Sequence, residues 1–217
     1  MSDLLERLRE ATAPLHGELE HHALMQRILG GRVTIPQYCL YLRNLHPIYA
    51  ALERALVARG DEPSLQAFSH PALFRSDAIV RDLRRLAGEA WAALHVLPSA
   101  DAYADSLHRL SATQPALLGA HAYVRYLGDL SGGRMVRSRV ASALSLDTEE
   151  TEDGLAFYAF VTPPGALARQ LRIDLQSLPL SPAVAGEFVA EAVAGFERHR
   201  TLFDELERST AHSPPLN

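Results

Sequence analysis

The chain has 217 residues, 47% of them hydrophobic and 22% charged, which fits one ordinary globular domain with its own core. The net charge of −5 and a sequence pI near 6.0 argue against a nucleic-acid binder, which carries a basic excess. One cysteine, Cys39, excludes an internal disulfide framework and a paired-cysteine metal site. All 21 basic side chains are arginine.

The N-terminus, MSDLLERLRE, is charged and amphipathic, unlike a secretory signal. No apolar run approaches the roughly 18–20 residues that span a bilayer. These features predict a soluble, cytoplasmic protein without a membrane anchor.

Helical periodicity runs through nearly the whole chain. The first helix opens at Ser2 or Asp3, with Glu6 placed as in a capping box. Pro14 either kinks it or lies in the first turn of a new helix capped by Thr12. The favoured reading is one nearly continuous helix to about Leu29, stopped by Gly30 and Gly31. Thr34 and Gln37 form a capping-box pair at the start of a second helix, which reaches about Arg59 and bends at Pro47. Ser76 and Ser99 are candidate caps for two shorter helices. The longest helical pattern runs from about Pro115 to Leu144. An acidic loop follows from Asp147 to Gly154, then an irregular apolar connection. A short helix from Gly165 to Leu178 and a long one from Pro182 to Arg208 complete the pattern. The prediction is an all-α, single-domain bundle of seven or eight helices over residues 1–208, with a flexible polar tail at 209–217.

Two features depart from ordinary helix composition. Gly128, Gly132 and Gly133 lie inside the longest helix, at about 1 kcal/mol each relative to alanine. Gly128 and Gly132 are four apart and share a face without side chains. That face suits either a flat ligand against the backbone or tight helix–helix packing. Asp129 lies beside it, as a water-holding carboxylate or an ordinary solvated one. The second feature is His16, on or next to the apolar face of the first helix. Glu20, one turn on, can reach one ring nitrogen and fix the tautomer of a metal-binding imidazole. A satisfied core histidine would look the same.

The segment from Glu10 to His16, EATAPLH, resembles the proximal-histidine helix of haem oxygenases. The segment from Ala120 to Gly133, AHAYVRYLGDLSGG, resembles that family's distal-helix signature. The similarity continues in order through His46–Leu56, Gly154–Phe160, Gln176–Val184 and the final helix. The resemblance implies a haem oxygenase bundle, with haem b between the proximal N-terminal helix and a kinked, glycine-rich distal helix. Haem would be both substrate and cofactor. The implied reaction opens the ring at a meso carbon to biliverdin, carbon monoxide and ferrous iron. It consumes dioxygen and electrons from NADPH, delivered by a ferredoxin, a flavodoxin or a flavoprotein reductase.

In this reading His16 is the axial ligand and Glu20 its carboxylate partner. Gly128 and Gly132 let the distal helix lie close over the ring, and Asp129 holds the water that controls proton delivery. Tyr123 and Arg125 join the distal hydrogen-bond network, with Ser131 on the same helix. Met25 and Phe196 line the apolar pocket. Arg169 and Arg172, three apart on one helical face, meet the haem propionates. Arg9 lies about 10.5 Å before His16 along the helix and is a further candidate. His46 either extends the distal network or packs structurally. Arg81, Arg84, Arg85, Arg134, Arg137 and Arg139 form either a docking face for an acidic electron donor or solvated helix faces. The protein is expected to be a monomer. A haem carrier that leaves the ring intact and a thiaminase-like bundle without haem are the competing readings. The paired Gly128, Asp129 and Gly132 favour the oxygenase, because a carrier has no use for a distal water network.

Overall fold

Helix caps and glycines set the boundaries of eight α-helices in the computed structural model, which describes residues 3–147 and 154–211. They are α1 (Leu4–His21), α2 (Ala23–Leu29), α3 (Ile35–Ala58), α4 (Ser76–Ala87), α5 (Pro98–Thr113), α6 (Leu118–Leu144), α7 (Pro164–Gln176) and α8 (Pro182–Ala211). Short 3-10 turns fill the connections, and the described residues contain no strand. None of the described helices is long and apolar enough to cross a membrane.

The N-terminal segment differs from the single helix expected. Pro14 lies inside α1 without ending it. The break comes at His22, whose extended backbone interrupts the helix while its Nδ1 accepts from the Leu24 amide at 3.2 Å. The imidazole thereby caps α2, so two helices replace one. Asp3 caps α1 by accepting from the Leu5 amide, one residue short of the Glu6 amide that a capping box would use. The Thr34–Gln37 box forms as expected, with Gln37 Oε1 accepting from the Thr34 amide at 3.1 Å.

Neither expected serine cap forms. Ser76 and Ser99 lie within α4 and α5, and the N-terminal amides are satisfied from other helices. The Glu53 carboxylate of α3 accepts from the Arg75 and Ser76 amides and from the Ser76 hydroxyl. At α5, Asn44 Oδ1 accepts from the Leu97 amide at 2.7 Å and Glu205 accepts from the Ser99 amide at 2.9 Å. A carboxylate at a helix N-terminus meets both free N–H groups and the positive end of the dipole.

The helix α6 occupies the centre. It packs on α8 so closely that a Cβ on Gly119 would lie 2.9 Å from the Phe188 ring. Buried His121 joins α5, α6 and α8: its Nδ1 pairs with the Tyr103 hydroxyl and its Nε2 with Glu191, both at 2.9 Å. The ends of α1 and α2 are tied to α8 by Glu18–Arg200, His22–Asp204 and Arg27–Glu207. The last helix continues to Ala211, three residues beyond the boundary expected at Arg208, and the Ser209 and Thr210 hydroxyls donate to the Glu205 and Glu207 carbonyls. Residues 212–217 of the expected tail lie outside the described residues.

Removing the cap of α4 should therefore destabilise the bundle. Glu53→Ala is expected to cost about 2–3 kcal/mol in urea unfolding, because buried amides lose a charged partner. Exposed Glu197→Ala should stay within about 0.5 kcal/mol.

Candidate active site

A cleft of about 820 Å³, counting its open mouth, lies between α1–α2 and α6 and is closed at the back by α3 and α8. His16, Glu20 and Met25 line one wall, together with Leu19 and Leu29. Arg125, Gly128, Asp129, Gly132 and Gly133 of α6 line the facing wall. Phe196, His199 and Phe203 of α8 close it, with Tyr41 and Tyr158. The sequence-predicted His16, Glu20, Met25, Arg125, Gly128, Asp129, Gly132 and Phe196 thus share one cavity.

The His16 side chain is 55% exposed, so the ring is accessible rather than satisfied in the core. Its Nδ1 lies 3.7 Å from Glu20 Oε1, and Phe196 meets it edge-on at 6.1 Å. With Nδ1 turned to the carboxylate, Nε2 is the nitrogen left for a ligand.

The glycines divide into two kinds. A Cβ built on Gly128 or Gly132 meets nothing within 4 Å, so both open onto free space. A Cβ on Gly133 would come within 3.0 Å of Tyr158 Cδ1, so that glycine serves packing. The helix itself runs from Leu118 to Leu144 without interruption.

Beside the bare face lies a buried polar cluster. The Tyr49 hydroxyl donates to Asp129 Oδ2 at 2.6 Å, and Arg125 Nε donates to the Tyr49 hydroxyl at 3.0 Å. Arg125 Nη2 stands 3.8 Å from Asp129 Oδ1, beyond hydrogen-bond length. Oδ1 therefore keeps acceptor capacity. Burial pushes Asp129 up to about 6, against the opposing pull of Arg125 and the Tyr49 bond. Arg125 Nη1 lies 3.1 and 3.0 Å from the two ring nitrogens of His199, so the guanidinium sits against the imidazole rather than on a single lone pair. Burial and the Arg125 charge hold His199 well below the usual imidazole range, which keeps it neutral.

Other predicted residues lie outside the cavity. Tyr123 turns toward α1, beside Thr12, where it feels the charges of Arg9 and Arg172. Arg172 Nη2 donates to the Ser131 hydroxyl at 3.4 Å. Arg9, Tyr123, Ser131 and Arg172 therefore form a second group along the α1–α6–α7 side. Arg169 is exposed on α7. His46 packs edge-on against Trp91 at 5.6 Å and does not reach the cleft, which leaves its structural reading. Tyr49, His199, Tyr41 and Tyr158 were not singled out from sequence. Tyr49 lay within the His46–Leu56 similarity, and His199 is one turn from Phe196, but neither spacing shows a contact with Arg125.

The "Heme oxygenase" family model matches residues 2–205. This chain belongs to the haem oxygenase family. Haem oxygenase 1 of Homo sapiens is 35% identical over 97% of this chain and 74% of its own length. The structure of haem oxygenase-2 from Synechocystis, in complex with haem and NO, superposes with a TM-score of 0.88 at 36% identity, covering 95% of this chain and 86% of that one. Haem oxygenase-1 from the same organism, in complex with haem, superposes at 0.87 with 31% identity, covering 96% and 94%. The open cleft of this haem oxygenase, with one accessible imidazole facing bare backbone, suits a flat ring with a single protein ligand.

The two kinds of glycine give a direct test. Gly128→Ala and Gly132→Ala should each raise the stability of the ligand-free haem oxygenase by about 0.5–1 kcal/mol, since alanine favours helix and meets open space. Gly133→Ala should show no such gain, because Tyr158 must move. Urea unfolding of the three variants reads the difference.

Proposed function

We propose that this haem oxygenase binds haem through His16 and opens the ring to biliverdin, with Asp129 governing proton delivery. The observation that carries the reading is the pairing of a bare helix face at Gly128 and Gly132 with the buried carboxylate between them, across the cleft from an accessible histidine. Bound haem supplies the iron that activates dioxygen and the meso carbon that is oxidised, with release of carbon monoxide and ferrous iron.

The chain's own residues supply position and protons. Glu20 orients His16. Met25, Leu29, Phe196 and Phe203 exclude water from the ring faces. Asp129 Oδ1 holds a water in the cleft and passes its proton, while Tyr49 and Arg125 keep the carboxylate in place. The group formed by Arg9, Tyr123 and Arg172 meets the propionates at the ring edge, with Ser131 fixing Arg172 and Arg169 adding charge on the same helix. Electrons come from NADPH through a ferredoxin, flavodoxin or flavoprotein reductase. The arginines at 134, 137 and 139 on α6 give an acidic donor a place to dock.

An absorption time course tests the reaction. Protein loaded with haem is given reductase, ferredoxin, NADPH and air, with catalase present. Loss of the Soret band with growth of a biliverdin band is expected. A stable Soret band after full reduction would make the protein a haem carrier. His16→Ala should abolish turnover, and Asp129→Ala should keep haem but lose biliverdin formation. Asp129 carries its charge only above about pH 6, so turnover should fall as pH drops through that value. Asp129→Asn should turn over slowly, and its residual turnover should lack this limb. Charge reversal at Arg134 and Arg137 should slow reduction by an acidic donor at low salt, and an unchanged rate would remove the docking face.

A further inference from the structure

One carboxylate holds the segment from Gly154 to Tyr158. Asp82 lies on the inner face of α4, beside Ala78, Ile79 and Leu83, and is fully buried. Its Oδ1 accepts from the amides of Gly154 and Ala156, both at 2.7 Å, and its Oδ2 accepts from the Phe157 amide at 2.8 Å. Gly154 makes this convergence possible. Its φ of +100° turns the chain where a side chain would be strained, and a Cβ there would lie 3.3 Å from Leu146 Cδ1. Burial pushes Asp82 up to about 6, and the three amides pull it back. An apolar residue would serve the inner face of α4 without that burial cost.

The three bonds fix the two residues at the end of the segment. Phe157 meets the Tyr49 ring edge-on at 5.4 Å, and Tyr49 is the donor to Asp129. The Tyr158 hydroxyl pairs with the Tyr41 hydroxyl at 3.2 Å, and its ring covers Gly133. Tyr41, Tyr158 and Gly133 all line the cleft.

We propose that Asp82 is a positioning residue for the active site: by gathering the amides of Gly154, Ala156 and Phe157 it sets the Tyr158 wall and the aim of Tyr49 at Asp129. It thereby sets where a flat ring seats against α6, and so which ring carbon is oxidised. This last step rests on the haem oxygenase reading; the anchoring itself does not.

Asp82→Asn is the test, since its amide group presents N–H donors to N–H donors and loses at least one of the three bonds. In haem-free protein, hydrogen exchange at the Gly154, Ala156 and Phe157 amides should become about tenfold faster or more. In the haem-loaded protein the ratio of biliverdin isomers should shift while the spectrum of His16 ligation persists. His121→Gln, which weakens a buried contact outside the cleft, is the control and should lower stability without moving the isomer ratio. Unchanged amide exchange in Asp82→Asn would overturn the proposal. So would faster exchange with the wild-type isomer ratio, or an equal isomer shift in His121→Gln. A wild-type protein that binds haem and leaves it intact defeats the oxygenase reading instead. In that case the pH midpoint of the bound-haem spectrum, which senses Asp129, should still shift in Asp82→Asn, and an identical midpoint would overturn the proposal.

Discussion

The helix α6 has to be buried on most of its circumference and bare on the remainder, and the other elements are arranged to make that possible. Glycines inside a helix cost about 1 kcal/mol each and leave backbone without cover. At Gly128 and Gly132 nothing from the protein fills the space. The helix is held instead by its other faces: His121 bonded to α5 and α8, Gly119 pressed on Phe188, and Gly133 under Tyr158. The open floor of the cleft is stable because its surroundings are tightly packed.

The same logic governs the charge beside that floor. Asp129 is buried and held by Tyr49 of α3, and Tyr49 is held by Arg125 of α6. One turn beyond Tyr49, Glu53 caps α4, and α4 carries Asp82, which anchors Gly154–Phe157. That segment returns to α3 through Tyr158 and Tyr41 and to Tyr49 through Phe157. The α6 wall of the cleft is therefore tied into a circuit of buried polar and aromatic contacts running through α3, α4 and α6. Opposite it stands a simpler wall, where His16 needs only exposure and a carboxylate one turn away.

What was legible in the sequence was local or repeated. The three glycines in a helical pattern, the Thr34–Gln37 box and the long signature at Ala120–Gly133 each carry their meaning within a few residues. What was hidden depends on contacts across the fold. Ser76 and Ser99 fit caps because N-cap positions favour serine, yet Glu53, Asn44 and Glu205 arrive from elsewhere and satisfy those amides. His22 breaks the first helix by bonding its own backbone neighbour, which helical spacing alone does not reveal. Spacing leaves both a ligand face and helix packing open for the glycines; only the space above each Cα separates Gly128 and Gly132 from Gly133. His199 carried no sign of its place against Arg125, seventy-four residues away in the chain. The resemblance implies Tyr123 in the distal network, yet its side chain lies beside Thr12, under the charges of Arg9 and Arg172, and does not line the cleft.

The most direct test of the central claim is a crystal structure of the haem complex, prepared without reductant. The account predicts iron bound to His16 Nε2, with the ring in contact with the backbone at Gly128 and Gly132 and Asp129 within one water of the iron's open side. Iron held by another residue, or a ring lying away from the two glycines, would contradict it.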